Sequence, residues 1–482
     1  MKSQSFALVL AALPAAFAHT AFTDFFVDGV AVGDGVAIRI PRDPATATFP
    51  IGGGKLGSNT LACNVDGDKG VSRVQNVKDG ATLTFEIRSW PNDPTNEPLD
   101  RGHKGPCAVY LKKVDSAIDD PGYGDGWFKL FDDGYDASSQ QWCSDKIIDN
   151  NGLLSIVLPK GLQGGYYLAR PEILALHAAN NGDPQFYTGC AQIYLDSTGD
   201  LVPETTVSIP GYVKEDDASV TFDIYNRDNS EYTKPGPAVA KLTSGGAATA
   251  SGGQGQTEGT LPEGCIAIND NWCGKEVPSY TDETGCWAAD ADCWAQAKVC
   301  WANTAVTGGK GCEIWQDKCN GIQSACKSKN FNGPPNKGKS LIPVAKTIDV
   351  GLIMPTVGGG VVAPQSTKAQ AAASSKPVVS NSPPKNTPAA SSAAAPKTSA
   401  AAPKTSAVYD EYEATEPTAV EAPAYTPVTT AAPEPTKVSC PPGVECVTVY
   451  HTVVKTEVQY TTVWVDPKVR RSIHARRHAR MS

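Results

Sequence analysis

The spacing of the cysteines constrains the fold of this chain more than any other feature of its sequence. All fourteen lie beyond residue 62, and eight of them fall between Cys265 and Cys326. Within that segment two trios repeat every seven residues, close to two turns of an α-helix, so each trio lies along one helix face. A Gly-containing connection, "WANTAVTGGKG", separates the trios and predicts an antiparallel helical hairpin. The trios are Cys286, Cys293 and Cys300, and Cys312, Cys319 and Cys326.

An antiparallel hairpin with this spacing predicts three disulfide rungs. Such rungs would staple a module that is too small to depend on its core. An even number of cysteines fits disulfide formation in an oxidising compartment. The expected pairs are Cys286–Cys326, Cys293–Cys319 and Cys300–Cys312, with Cys265 left for Cys273.

Three tryptophans form a second stripe on the first of these helices. Trp287, Trp294 and Trp301 each follow a cysteine, and the helical rise places successive rings about 10.5 Å apart. That interval resembles the two-sugar repeat of an extended β-1,4-glucan, so the stripe is a candidate polysaccharide-binding face. The alternative is that the rings pack over the disulfides or the neighbouring helix.

Shifts in composition predict how the chain divides. Residues 1–18 have the parts of a secretory signal: a charged start, an apolar run and an Ala-x-Ala cleavage site. Export from the cell is therefore expected, and no later stretch has the apolar length of a membrane helix. The other segments are a globular domain (19–242), a Gly/Ser/Thr linker (243–262), the cysteine-rich module (263–330), a Pro/Ala/Ser/Thr-rich tract expected to be disordered and O-glycosylated (331–438), a β-prone segment with a Cys440–Cys446 pair (439–466) and a basic tail (467–482).

The globular domain has the pattern of a mainly β protein. Its strand-forming runs include "ATLTFEIRSW", "CAVYLKKV", "GGYYLARPEILAL", "CAQIYLD" and "VTFDIYN", which Gly, Pro, Asp and Asn separate. This pattern predicts an immunoglobulin- or fibronectin-like antiparallel β-sandwich, which carries function on its loops. The net charge of −9, with basic residues concentrated at the end of the chain, argues against nucleic acid as a partner of the folded part.

Histidines in this domain suggest a metal site. Removal of the signal would leave His19 first, where its amine and imidazole form a ready chelate. His103, in the turn "RGHKGPC", is a third nitrogen donor, and copper(II) prefers nitrogen donors in a tetragonal plane. Tyr187 could take the long axial position, with His177 and Gln185 as neighbouring donors that steer bound oxygen. Taken singly, His103 also fits a surface histidine and His177 a hydrogen-bonded structural one.

Six stretches of the domain, in this order along the chain, resemble the fungal lytic polysaccharide monooxygenases of auxiliary activity family nine. The resemblance covers residues 19 to about 240. The stretches are "HTAFTDFFVDG", "GHKGPCAVYLKKV", "GDGWFKLFDDGYD", "WCSDKIIDNNGLLSIVLPKGLQGGYYLARPEILALHAA", "DPQFYTGCAQIYL" and "IPGYV".

The resemblance implies a copper site and its surroundings. It implies that His19 and His103 hold one copper ion per chain and that Tyr187 is the axial ligand. It also implies that Gln185 and His177 position and protonate oxygen close to the metal.

The resemblance also implies a substrate contact and disulfides. Tyr212, in "IPGYV", would help the flat copper face lie against cellulose. A long-range disulfide between Cys63 and Cys190 is implied, and Cys107–Cys143 is expected beside it.

The implied activity is oxidative cleavage of a β-1,4-glucan such as cellulose at carbon 1 or carbon 4. The monomeric enzyme would use oxygen or hydrogen peroxide and an external electron donor. A secreted copper-binding or wall-associated protein without turnover is the alternative, since His19 and His103 alone fit it equally well. A glycosidase with paired carboxylates is a further class, but the abundance of Asp and Glu does not place two of them at a working distance.

Overall fold

The computed structural model of the protein describes residues 19–245 and 255–355. The signal segment, residues 246–254 and everything after residue 355, including the predicted Cys440–Cys446 pair, lie outside the described residues. Strands in chain order are β1 (Ala21–Val27), β2 (Val30–Ala31), β3 (Ile38–Arg39), β4 (Gln75–Lys78), β5 (Thr82–Arg88), β6 (Cys107–Val114), β7 (Gly124–Asp133), β8 (Tyr135–Asp136), β9 (Gln141–Trp142), β10 (Leu153–Val157), β11 (Gly165–Ala175), β12 (Gln185–Thr188), β13 (Cys190–Asp196), β14 (Leu201–Pro203), β15 (Val207–Ile209), β16 (Leu242–Ser244), β17 (Cys265–Asn269), β18 (Trp272–Lys275) and β19 (Ile353–Met354). Helices are α1 (Thr60–Cys63), α2 (Cys143–Asp149), α3 (Glu283–Ala302) and α4 (Lys310–Lys327), with short 3₁₀ turns at Ala179–Asn181 and Asn229–Glu231.

Two sheets form a β-sandwich, so the predicted mainly β class is confirmed. The first sheet has the order β19-β10-β5-β1-β2, and the second has β15-β7-β6-β11-β13-β3, with β12 added on β11 and β4 on β13. The pairing departs from the fully antiparallel prediction at two places, where β4 runs parallel to β13 and β19 parallel to β10. Both parallel pairs join strands that are far apart in the chain, because a parallel pair needs a long connection.

The core lies between the sheets and continues behind the second one. Phe85 and Leu154 of the first sheet pack with Val109 and Ile173 of the second in one buried cluster. A second cluster, which includes Trp127, covers the other face of the second sheet. Strand β11 is consequently buried over almost its whole length, including the charged side chains of Arg170 and Glu172.

The run "VTFDIYN" (220–226) is predicted to be a strand, and this prediction is wrong because the segment forms turns. Val220, Phe222 and Ile224 are buried in alternation, which imitates the pattern of a strand. The Asp223 carboxylate, however, accepts hydrogen bonds from the backbone nitrogens of Tyr225 and Asn226 at 3.0 and 3.2 Å. Such side-chain-to-backbone bonds close a turn and compete with a strand ladder.

The cysteine-rich module is an antiparallel helical hairpin preceded by the β17–β18 hairpin. Helix α3 begins after Asp282, whose carboxylate caps it by accepting from the backbone nitrogen of Gly285 at 2.7 Å. The described residues contain no free cysteine. The bonded pairs are those that the spacing and the resemblance lead us to expect. They are Cys63–Cys190, Cys107–Cys143, Cys265–Cys273, Cys286–Cys326, Cys293–Cys319 and Cys300–Cys312. Among the helices of residues 19–245 and 255–355, none has the length and apolar content needed to cross a membrane.

The chain on both sides of the module packs on the sandwich, which differs from the expected flexible linker and disordered tract. Before the module, the Glu258 carboxylate accepts from the backbone nitrogen of Ala117 at 2.8 Å. After it, the carbonyl of Lys346 accepts from the nitrogen of Ala31 at 2.8 Å, and β19 extends the first sheet. The start of the predicted disordered tract, residues 331–355, is therefore ordered in part by the unpaired backbone groups at a sheet edge.

A cavity of about 550 Å³ between the sandwich and the module is lined by carboxylates. Oxygens of Asp24, Asp34 and Glu86 lie within 4.8 Å of one another. The Arg88 guanidinium donates to both Asp34 and Glu86 at 2.6 Å. Because two of the carboxylates are already paired with that cation, the cluster gives no support to a glycosidase pair.

The stability of the protein is expected to fall as pH rises from about 4 to about 8 because of Asp24. Burial raises the pKa of Asp24 to about 8, and Asp34 and Glu86 add to this effect while Arg88 opposes it. A carboxyl with a raised pKa in the folded state binds its proton more tightly than in the unfolded chain, so it destabilises the fold as pH rises between the two values. Asp24→Asn should remove a slope of up to about 1.4 kcal/mol per pH unit in urea unfolding. The exposed Asp119→Asn is the control, and an unchanged slope in Asp24→Asn would contradict the assignment.

Candidate metal centre

Three histidines and a tyrosine from separate parts of the chain meet at one end of the sandwich. His19 precedes β1, His103 precedes β6, His177 follows β11 and Tyr187 lies on β12. The ring centroids of His19 and His103 are 6.2 Å apart, and the ring of Tyr187 lies 6.4 Å from the first and 5.9 Å from the second. The ring of His177 lies 4.3 Å from that of His103. The structure therefore brings these four predicted site residues together.

Strand β12 places two of the site residues on one face. Gln185 and Tyr187 are two residues apart, so their side chains point to the same side of the strand. The strand folds back on β11 with Gln185 opposite Ala175, which brings the connecting loop with His177 to the same end. His103 is held by a turn in which its backbone nitrogen donates to the carbonyl of Asp100 at 2.9 Å.

Gln185 connects the tyrosine to an acidic residue that the sequence motifs do not indicate. The Tyr187 hydroxyl donates to Gln185 Oε1 at 3.0 Å, and Gln185 Nε2 donates to the Asp183 carboxylate at 3.0 Å. Gln185 and Tyr187 are both buried. Asp183 stands two residues before Gln185, and that proximity is the one signal in the sequence that could have suggested it.

Burial keeps all three histidine rings neutral near pH 7. It lowers the pKa of His103 to about 4, with His177 adding to the effect and Asp100 opposing it. Burial also lowers the pKa of His19 and of His177, and Asp183 opposes the shift in both. A neutral imidazole is the form that binds a metal ion.

The donor set fits copper(II). The Nδ1 atoms of His103 and His177 are buried, and neither has a hydrogen-bond partner among the described residues. Since buried polar atoms are normally paired, neither atom serves a structural hydrogen bond. Burial raises the pKa of the Tyr187 phenol, so it stays protonated. Nitrogen donors with one weak oxygen donor suit copper(II), and cleavage before His19 would add its amine to them.

Tyr212, which the resemblance implies as a substrate contact, is partly exposed, and its hydroxyl and ring make contacts inside the domain. Its hydroxyl donates to the carboxylate of Glu172, and its ring packs against Tyr110 with centroids 5.6 Å apart. The guanidinium of Arg170 lies 5.6 Å from the same ring. Because Arg170 and Glu172 are buried in β11, they need polar partners, and the phenol of Tyr212 is one of them.

Two other aromatic side chains are exposed near the histidines. Phe49 is 50% exposed, and its ring lies 5.2 Å from that of His19. Tyr225 is 66% exposed, in the turn that Asp223 closes. A hydrogen bond from Asn180, in the loop after His177, fixes Asp223 to this end of the sandwich. No motif marks Phe49, and Tyr225 is hidden in the run that imitates a strand.

Comparison with known proteins assigns the family. The model described as "Auxiliary Activity family 9 (formerly GH61)" matches residues 19–232. An "AA9 family lytic polysaccharide monooxygenase C" from Aspergillus tamarii is 47% identical over 351 residues, covering 71% of this chain and 94% of that protein. The chain belongs to auxiliary activity family 9. An "AA9 family lytic polysaccharide monooxygenase H" from Botryotinia fuckeliana is 47% identical over 365 residues, which are 73% of this family 9 chain and 83% of the relative.

As a family 9 member, the protein is an enzyme, a copper monooxygenase. Matches over more than 70% of the chain cannot be contained in residues 19–232. The two relatives therefore share sequence with the region that holds the cysteine-rich module. A solved structure titled "CvAA9A" is 34% identical, covers 46% of this family 9 chain and 97% of its own, and has a TM-score of 0.42.

Proposed function

We propose that this family 9 enzyme cleaves β-1,4-glucan, with cellulose as the main substrate, by oxidising carbon 1 or carbon 4 of a glucose unit. The observation that carries the proposal is the meeting of His19 and His103 beside Tyr187 at an end of the sandwich where aromatic rings are exposed. The co-substrate is oxygen or hydrogen peroxide, and an external donor supplies electrons. The enzyme acts outside the cell as a monomer.

One copper ion per chain would be held by the amine and ring of His19 and by the ring of His103, with the Tyr187 phenol as a further, weaker donor. Copper bound there would supply one-electron redox chemistry toward oxygen or hydrogen peroxide. Because burial keeps the rings of His19 and His103 neutral, neither ring would have to lose a proton before the metal binds, whereas the ammonium form of the His19 amine would.

The chain's own residues would orient the co-substrate and move protons. The Asp183 carboxylate holds the Gln185 amide in one direction, since Gln185 Nε2 donates to it at 3.0 Å. The Tyr187 hydroxyl donates to the other end of that amide, so the phenol is held as well. His177 is neutral, and its Nδ1 has no partner within the described residues. It can therefore take up a proton and return it.

The substrate would lie across the exposed aromatic rings at this end of the sandwich. Phe49 is half exposed beside His19, and Tyr225 is exposed on the turn next to the loop of His177. A sugar ring presents apolar C–H groups on each face, which favours contact with an aromatic ring. Phe49 and Tyr225 are therefore proposed as glucan contacts in addition to Tyr212.

Product analysis tests the proposed function. The mature, copper-loaded enzyme is incubated with cellulose and a reductant, and the soluble products are analysed by mass spectrometry. Aldonic acids would indicate oxidation at carbon 1, and ketoaldoses oxidation at carbon 4. Tight copper binding without oxidised products on several β-glucans would overturn the proposal and favour a copper-binding protein without turnover.

Gln185→Leu is expected to slow glucan oxidation by about 10- to 100-fold, the range for partners just outside a metal's ligands. The change removes the acceptor of the Tyr187 hydroxyl and the link to Asp183. The copper Kd should change only a few-fold, because Gln185 is not a proposed ligand. Gln75→Leu on β4 is the matched control. Wild-type rates for Gln185→Leu, with oxidised products quantified at saturating copper, would refute its role in positioning.

A further inference from the structure

The outer face of helix α3 is apolar and exposed. Trp287 and Trp301 are 38% and 40% exposed, and Val299 is 52% exposed. Trp294, between the two tryptophans, packs partly against the core of the module, as the packing alternative expects. Large apolar side chains that are exposed close together are characteristic of a binding surface.

Trp294 lies between the two exposed rings on the same side of the helix, and Lys298 is exposed next to them. Three exposed alanines, Ala288, Ala291 and Ala295, extend the surface beside this line. Trp287 and Trp301 are fourteen residues apart, which places them about 21 Å apart along one side of the helix. That distance equals two disaccharide repeats of an extended β-1,4-glucan. A flat, uncharged ribbon of sugar rings can therefore touch both indoles at once.

The module is fixed to the sandwich, so the orientation of the tryptophan stripe relative to the metal centre is also fixed. Asn271 accepts from the nitrogen of Ala37 and donates to the carbonyl of Gly35, both at 2.9 Å. Inside the module, the Asp270 carboxylate accepts from Thr307 at 2.8 Å, which ties the turn after α3 to the same contact. The module therefore meets the sandwich through several directional hydrogen bonds rather than through a loose linker.

One loop of the sandwich contacts both the end of helix α3 and the segment next to His19. A Cβ at Gly308, just after α3, would lie 3.5 Å from the Cβ of Asn92. Asn92 belongs to the loop that leads from β5 to His103, and the Thr20 hydroxyl, next to His19, donates to the carbonyl of Pro98 in that loop at 2.8 Å. The Trp301 end of the stripe thus starts beside the loop that borders the metal centre.

From this geometry we propose that Trp287 and Trp301 form a second binding surface for a single β-1,4-glucan ribbon, outside the metal centre. The assignment of the ligand rests on the proposed function. The surface would hold the polysaccharide at one side of the metal centre and keep the enzyme at the substrate between turnovers.

Adsorption to cellulose tests this proposal. The full mature chain, freed of copper by a chelator, is titrated onto microcrystalline cellulose, and the Kd is compared with that of the double variant Trp287→Ala and Trp301→Ala. The Kd should rise about tenfold or more, as for loss of two buried aromatic anchors. The Tyr variants at both positions should restore most of the affinity. Val344→Ala, which removes an exposed apolar side chain outside helix α3, should leave the Kd unchanged.

The outcomes separate this surface from the metal centre. If the double Ala variant adsorbs as tightly as the wild type and its thermal unfolding is also unchanged, the proposal that Trp287 and Trp301 bind the polysaccharide is wrong. Retention on chitin but not on cellulose would overturn its assignment to glucan. A wild-type dimer in sedimentation that the double variant converts to monomer would show that a second copy covers the face, and would also overturn it. Failure of the proposed function would show separately, as missing oxidised products from the copper-loaded enzyme while copper-free adsorption persists.

Discussion

One additional residue before His19 is expected to lower copper affinity by at least about 100-fold and to abolish glucan oxidation. The α-amine of His19 would become a peptide nitrogen, so the chelate ring between amine and imidazole would be lost. Removal of a partner outside the ligand set costs about 10- to 100-fold in affinity or in activity, and loss of a ligand itself should cost more in affinity. Copper titration of the mature chain and of a Gly-extended chain measures the difference.

The extension has an internal control. When the extra residue sits behind a protease site, cutting before His19 should restore both copper affinity and activity in the same sample. The remaining donors, the rings of His19 and His103, are present throughout, so the experiment isolates the amine. Equal affinity before and after cutting would show that the amine does not bind the metal.

Arg170→Ala is expected to destabilise the sandwich by about 3 to 5 kcal/mol, the range for one partner lost from a buried ion pair. Arg170 is fully buried and donates to Glu172 at 2.6 Å. It also donates to the carbonyls of Leu61 and Ala62 at 2.8 and 2.7 Å, which attaches α1 to β11. The variant leaves the carboxylate of Glu172 buried with Tyr212 as its neutral partner. Thermal unfolding should shift down by about 10 °C or more.

Two further variants decide whether burial of the charge pair causes this loss of stability. Arg101 pairs with two carboxylates, those of Glu97 and Asp149, on the exposed surface. Arg101→Ala should therefore lower the free energy of unfolding by less than about 1 kcal/mol. Arg170→Met combined with Glu172→Leu removes both charges and should cost less than Arg170→Ala, because no charge is left buried without its partner. A double variant as unstable as Arg170→Ala would show that the contacts to Leu61 and Ala62, rather than the charge pair, are decisive.

Short-range periodicity and adjacency in sequence made part of this molecule predictable. The rungs between α3 and α4 follow from a seven-residue repeat, because a helix converts spacing directly into position. Gln185 and Tyr187 lie on one face of β12 because every second side chain of a strand points to the same side. The place of Tyr212 could not be read in this way, since it depends on the buried Arg170 and Glu172 of a distant strand.

Other features depend on partners that a local pattern does not show. Asp223 closes a turn in a run whose apolar residues alternate as in a strand. The segment around β19 lies in a tract whose composition predicts disorder, and its order comes from an open sheet edge that only the folded sandwich provides. Phe49 contacts His19 only because the chain folds back on itself, and no regular spacing in the sequence predicts this contact.

The position of β19 has a consequence for how copies of the enzyme behave toward one another. The strand covers β10, which would otherwise be the outer strand of the first sheet, with a row of unpaired peptide groups facing water. A chain ending at residue 330 would retain every residue of the metal centre and the whole helical hairpin. It would also present that bare row as a template for strand addition from a neighbouring molecule. Residues beyond the module are therefore expected to protect the enzyme from edge-to-edge aggregation, which an assay of catalysis would not detect.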